Sequence, residues 1–131
     1  MTSNTTPSGI VSANVDYASL HPYRAFDGTD GYWYNPPQNH SVGYIQYQFP
    51  TQKTVKSYNF NTHYNAMCSF TFQASNNGIS WIVLGNYINV DTSITSSYTI
   101  SNNTKYLYYQ LNFTADNSGV NSVSSFQMYG Y

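Results

Sequence analysis

Residues 70–84, FTFQASNNGISWIVL, constrain the fold more than any other stretch of the chain. Phe70, Phe72 and Ala74 alternate with Thr71, Gln73 and Ser75. An extended backbone here shows one apolar and one polar face, the pattern of a half-buried strand. Asn77-Gly78 follows, and both residues tolerate the positive φ that a two-residue hairpin turn demands. Trp81, Ile82, Val83 and Leu84 then carry the chain back through a second β-rich run. A hairpin turning at Asn77-Gly78 is expected.

The rest of the chain repeats this grammar. Gly9–Ala13 reads as a short first strand, and residues 16–31 as a loop with one helical turn. Pro22 suits the first position of that turn, where a missing N–H costs nothing. Residues 32–42, with paired prolines, read as an irregular loop. In Gly43–Phe49, Ile45, Tyr47 and Phe49 alternate with Tyr44, Gln46 and Gln48, and Pro50 is expected to end the strand. Val55–Asn61 is a further strand, His63–Ser69 a loop, and Gly85–Ser96 a loop with a short strand inside it. Ser97–Ile100 pairs before an Asn102-Asn103 turn. Lys105–Phe113 places Leu107, Tyr109, Leu111 and Phe113 on one face, and residues 115–121 form a polar loop before a last strand, Ser122–Tyr131. Many short strands, almost no helix and Gly/Asn turns call for an all-β, antiparallel β-sandwich. At 131 residues, one domain over 9–131 is the default, with residues 1–8 a flexible end or linker.

Composition narrows the function. Charged residues make up 7% and glutamate is absent, yet aromatics reach 18%, with 15 Tyr. A disordered chain would be poor in aromatics. Arg24, Lys53, Lys56 and Lys105 are the only cations and the net charge is -1, so nucleic acid binding lacks its electrostatic drive. Anionic membranes are disfavoured for the same reason. Cys68, alone, forms no intrachain disulfide and is expected to be a small buried residue near a strand start. The opening MTSNTTPSG is not a signal peptide, and no stretch has the length of a membrane span. An extracellular or particle-surface location is therefore expected to come through a larger parent chain, another export route, or a virus or phage particle.

Several segments carry a resemblance. Ser75-Asn76-Asn77-Gly78-Ile79-Ser80-Trp81 resembles the "S-x-DG-x-x-W" hairpin of discoidin-like (coagulation factor V/VIII C-type) domains, which include the family-32 carbohydrate-binding modules. Asn77 stands where that family usually has Asp. The segment HPYRAFDG resembles the family's "A-x-DG", with Ala25, Asp27 and Gly28 matching and Trp33 following one residue early. GYIQYQF resembles "Y-I-x-x-D-L-G", KYLYYQLNF resembles "ar-Y-v-R-l" with Gln110 for the Arg, and SVSSFQMYGY resembles "E-I-E-F-Y-G". The resemblance spans nearly the whole chain. It implies an eight-stranded jelly roll of the galactose-binding-like type, with Trp33 and Trp81 in the core.

It also implies sites. Many members hold a structural Ca²⁺ near "A-x-DG", and Ca²⁺ takes six to eight oxygen ligands. Here Asp27 and Asp30 would give carboxylates, Ala25 and Tyr32 carbonyls, and Ser125 falls where the family has a C-terminal Glu, with Gln127 there if the register slips. The plainer alternative is that Asp27 caps its loop by accepting backbone N–H bonds. Family sugar sites lie on loops at one end of the sandwich. Sugar recognition needs an aromatic face for C–H groups and fixed partners for hydroxyls. His21 and Tyr23, then Tyr32, Tyr34 and His40, then His63, Tyr64 and Asn65, and finally Asn117 and Ser118 supply such groups. His63 matches a position where family-32 modules often carry Arg. Each His and Tyr, taken singly, also has a purely packing reading.

Catalysis finds no support: no Glu and no clear Asp pair for a glycosidase, no G-x-S-x-G, and no zinc-like spacing among His21, His40 and His63. The expectation is a non-catalytic domain recognising a neutral glycan, galactose or an N-acetylated relative, in attachment or adhesion. Single weak sites of this kind gain by repetition, in a homo-oligomer or a larger parent protein. A virion or tail assembly module on the same fold is the alternative. Phosphatidylserine binding needs apolar spikes flanked by cations, and the first loops carry only Arg24. Asn4, Asn39, Asn102 and Asn112 match the glycosylation pattern, as a chain so rich in Asn, Ser and Thr does by chance.

Overall fold

The computed structural model describes residues 9–13, 21–26, 33–35, 43–61, 67–91, 96–115 and 121–130. These form β1 (Ile10–Ala13), a 3-10 turn (Pro22–Ala25), β2 (Trp33–Asn35), β3 (Gly43–Lys53), β4 (Ser57–Asn61), β5 (Met67–Ser75), β6 (Ile82–Asp91), β7 (Ser96–Thr99), β8 (Tyr106–Ala115) and β9 (Asn121–Tyr129). One sheet runs β1-β3-β8-β5-β6, the other β2-β9-β4-β7. Every pairing is antiparallel. The architecture is an all-β sandwich, with nine strands among the described residues rather than eight. The addition is β2, three residues inside the expected irregular loop, which pair with Val123, Ser122 and Asn121.

Period-two patterning decides what each strand buries. Phe70, Phe72 and Ala74 of β5 and Tyr109, Leu111 and Phe113 of β8 are sealed between the sheets. Ile45 and Phe49 of β3 join them from one side, and Tyr58, Phe60, Tyr98, Val123 and Phe126 face them from the other sheet. Each such side chain contributes about 1.5–3 kcal/mol by leaving water. Aromatic pairs stitch the layers: Tyr58 stacks on Phe72 at 3.9 Å, and Phe60 meets Phe70 edge-on at 5.0 Å.

Other local expectations also differ from the structure, and β5 begins at Met67, inside the segment read as loop. The β5–β6 connection spans residues 76–81 and is no two-residue turn, although Gly78 does adopt φ 72. Asn77 Oδ1 accepts from the backbone N–H groups of Ile79 and Ser80, both at 2.9 Å, which holds a wider loop. β6 continues to Asp91, through residues read as loop, because β5 supplies a hydrogen-bonded partner along it. β3 passes through Pro50 to Lys53; the ladder to β8 breaks between Gln48 and Lys53, so the missing N–H is not needed there. Trp81 lies outside the core and packs edge-on against Tyr108 at 6.3 Å. The side chains of Trp33 and Cys68 lie outside the described residues.

The turn from β3 to β4 is pinned by one phenol. Tyr109 Oη donates to the Lys53 carbonyl at 2.6 Å and accepts from the Val55 N–H at 3.2 Å. Asn102, 5% exposed, donates to the Val55 carbonyl at 3.1 Å and accepts from the Thr104 N–H at 3.1 Å. Its amide is thereby consumed in the interior, which leaves the glycosylation match at Asn102 structural.

Candidate functional site

The 3-10 turn is where predicted site residues come into view. Pro22 starts it, Arg24 N–H donates to the His21 carbonyl at 3.0 Å, and Phe26 N–H donates to the Tyr23 carbonyl at 2.9 Å. Pro22 and Ala25 are buried, and Phe26 is clamped by Phe126 at 5.1 Å and Tyr47 at 5.2 Å. This anchoring leaves His21 and Tyr23 partly exposed. Their rings stack at 5.9 Å and 14°, and the Arg24 guanidinium sits 5.5 Å from the Tyr23 ring centre. Imidazole, phenol and guanidinium together offer an aromatic face flanked by hydrogen-bonding groups. Arg24 was not among the predicted site residues. Its signal was adjacency to Tyr23, over whose ring the guanidinium lies.

The strand registers gather a second group of positions. β4 ends at Asn61 and β5 begins at Met67; β8 ends at Ala115 and β9 begins at Asn121. Asn61 pairs with Ser124, Ser69 with Ala115, Asn35 with Asn121 and Gly43 with Phe113. All these strand ends therefore meet at one end of the sandwich. They bracket residues 36–42, 62–66 and 116–120, which carry His40, then His63, Tyr64 and Asn65, then Asn117 and Ser118. Those six residues, with Tyr32, lie outside the described residues, as does the Tyr34 side chain; the Tyr34 backbone pairs with Ser122.

The three lysines occupy the opposite end. Lys53 closes β3, Lys56 precedes β4 and Lys105 precedes β8, so these lysines stand away from the strand ends just described. Lys53 and Lys105 line a shallow depression of about 240 Å³ with Gln52, Thr54 and Gly130.

Of the predicted calcium ligands, Asp27, Asp30 and Tyr32 lie outside the described residues. Ala25 is buried in the 3-10 turn, and Ser125 is exposed on β9 with φ 51. The Phe26–Phe126 stack packs the end of the 3-10 turn against β9. Ser125 brings a neutral oxygen, and any strong charge for a hard cation must come from the two aspartates. Among the described residues no group of three or more His, Cys, Asp or Glu gathers.

In sequence, no family model and no curated protein matches the chain. In three dimensions it is similar to solved carbohydrate-binding modules. A family-32 module from Clostridium perfringens, in complex with galactose, is 12% identical, with a TM-score of 0.81 and coverage of 93% of each chain. Another C. perfringens family-32 module, in complex with GalNAc-β-1,3-galactose, is 10% identical, with a TM-score of 0.80, covering 93% of this chain and 95% of that one. Chitosan-binding module 2 of a chitosanase/glucanase from Paenibacillus sp. IK-5, in complex with chitotriose, is 17% identical, with a TM-score of 0.78, covering 93% of this chain and 96% of that one. The protein thus has the galactose-binding-like β-sandwich fold of these modules.

Proposed function

We propose that this domain is a non-catalytic carbohydrate-binding module that takes a neutral glycan at the end of the sandwich where β4, β5, β8 and β9 exchange chain. The observation that carries the reading is the fold likeness, over nearly the full chain, to modules solved with galactose and with GalNAc-β-1,3-galactose. The residue types in 62–66 and 116–120 support it: His63, Tyr64, Asn65, Asn117 and Ser118 supply a ring and neutral donors and acceptors. The charge layout supports a neutral ligand, since Lys53, Lys56 and Lys105 stand at the other end. Galactose or an N-acetylated relative fits this inventory. Attachment at a cell or particle surface, through repeated weak sites, is the role such a module would serve.

The test is a glycan array probed with the domain displayed multivalently, beside a His63→Ala/Tyr64→Ala double variant. A coherent set of sugars, lost in the variant, is the expected result. Silence across the array from folded protein would overturn the reading in favour of an assembly module. One feature favours that second reading: β6 is a sheet edge, and Ile82, Val83 and Ile88 on it are 50%, 54% and 71% exposed. Sedimentation of the domain separates the two.

A further inference from the structure

We propose that the outer face of the five-stranded sheet is a second ligand surface, shaped for an extended, uncharged polysaccharide chain. The proposal rests on the glycan-binding reading above and assigns it a distinct place and a longer ligand. Phe72, Ala74, Tyr109 and Leu111 point into the core, so their strand neighbours point away from it. The register lines those neighbours up. Gln46, Gln110 and Gln73 sit side by side across β3, β8 and β5. The row on one side runs Tyr44, Asn112, Thr71, and the row on the other Gln48, Tyr108, Ser75. No Asp, Glu, Lys, Arg or His stands in any of the three rows.

Two members of the central row, Gln110 and Gln73, are already tied together. Gln110 Nε2 donates to Gln73 Oε1 at 2.8 Å, and Gln73 Nε2 donates to Thr71 Oγ1 at 2.9 Å. Each primary amide carries two N–H donors and two acceptor sites, so the ladder leaves hydrogen-bonding capacity on each glutamine. Gln110, Thr71 and Ser75 are buried at 7%, 8% and 2% exposure and order the face from beneath, so the half-buried Gln46, Gln48, Gln73 and Asn112 are the amides a ligand would meet. Sugar hydroxyls, which donate and accept alike, match such a row.

The flanking tyrosines supply the apolar half of sugar recognition. Tyr108 is braced by Trp81 edge-on and lies over Gly78, where a Cβ would come within 3.4 Å of its ring. The hairpin that makes Trp81 a surface residue thus fixes an aromatic face beside the amide row. Tyr44 and Tyr108 sit two rows apart on neighbouring strands, about 14 Å from one another. That span exceeds one pyranose ring and calls for a chain. A polyanion would find no cation here, and an apolar partner would strand the amides without partners at a cost of desolvation.

The experiment is affinity electrophoresis through gels containing galactomannan, β-1,4-galactan or glycol chitin, with polygalacturonate as the charged control. It uses the wild type, Tyr44→Ala, Tyr108→Ala and Gln46→Ala, and the same substitutions in the His63→Ala/Tyr64→Ala background. The expected result is retardation by at least one neutral polysaccharide, weakened about tenfold by each tyrosine substitution in both backgrounds. Melting curves check folding, and if Tyr108→Ala unfolds, Tyr44→Ala and Gln46→Ala decide. Three results would each overturn the proposal: no retardation by any neutral polysaccharide, retardation that the face variants leave unchanged, or equal retardation by polygalacturonate. A wild-type dimer that Tyr44→Ala dissociates would overturn it too, by showing the face to be covered by a second copy. The loop site fails separately, by array binding that His63→Ala/Tyr64→Ala does not touch.

Discussion

Tyr58 and Phe72 lie face to face, 3.9 Å between ring centres and 13° from parallel, and they belong to different sheets. Both are fully buried, and Tyr98, Phe60 and Phe126 surround the Tyr58 ring. This contact ties the layers together, so it should dominate stability. Phe72→Ala is expected to cost about 3–5 kcal/mol, through lost transfer energy and the cavity left behind. Denaturant unfolding reads it directly; a loss under 1 kcal/mol would mean that the stack does not hold the sheets.

Tyr58 carries a second consequence, at its hydroxyl. That oxygen is buried with no hydrogen bond of good geometry, beside the phenols of Tyr87 and Tyr98. Burial, and then those neighbours, push its pKa far above the ordinary 10.0. Burial also raises Tyr109, against the lowering effect of its bonds to Val55 and Asn102. Both groups hold their protons more tightly folded than unfolded. Their contribution is therefore fully present below about pH 10 and is lost as pH rises beyond it, where the unfolded chain releases protons that the folded chain keeps. Tyr58→Phe should be neutral or mildly stabilising at pH 7, since it removes an unpaired buried polar group. Above pH 10 it should flatten the decline by about 1.4 kcal/mol per pH unit. Equal alkaline slopes in the two proteins would refute this assignment.

The hairpin loop explains why Asn77 can stand in the place of an Asp. Its Oδ1 accepts from Ile79 N–H, Ser80 N–H and Ser75 Oγ, while Ser75 Oγ in turn accepts from Asn77 and Gly78 N–H. Every bond that Asn77 makes through its side chain uses the oxygen, which a carboxylate shares. Asn77→Asp should leave the midpoint within about 0.5 kcal/mol of wild type. Gly78→Ala, at φ 72, should cost about 1–2 kcal/mol. Thermal melts of the two variants should separate clearly, and similar losses in both would mean that the amide nitrogen matters.

Which parts were legible in the sequence follows from the range of the interactions involved. Alternation within β5 and β8 is local, and Phe70, Phe72, Leu111 and Phe113 are buried as it implies. The continuation of β6 past Gly85 was not legible, because the strand exists through its ladder to β5 and not through its own propensity. Trp81 is expected in the core from the family resemblance, but it follows the wider loop held by Asn77 and packs on Tyr108 instead. The candidate site shows the same division. Residue types in 62–66 and 116–120 are visible in the chain, but that the strand ends flanking these segments lie at one end of the sandwich depends on Asn61 meeting Ser124 and Ser69 meeting Ala115, pairings more than forty positions apart. The amide row across three strands is likewise invisible until register is known.

Calcium remains the sharpest question about the 3-10 turn. Ala25 is buried there, and the Phe26–Phe126 stack packs the end of the turn against β9, the strand holding Ser125. A cation held by Asp27 and Asp30, with the carbonyls of Ala25 and Tyr32, would cross-link the turn to β9 and act on stability alone. A ligand that binds only the folded state stabilises by about 2.7 kcal/mol at a hundred times its dissociation constant. Melting in excess Ca²⁺ should therefore lie several degrees above melting in chelator. Asp27→Asn should remove that difference while leaving the chelator midpoint near wild type, because the plainer role of Asp27, capping its loop, survives in part with an amide oxygen. A variant that loses stability equally in calcium and in chelator would show that Asp27 is a cap and that Ser125, neutral and exposed, completes no metal site.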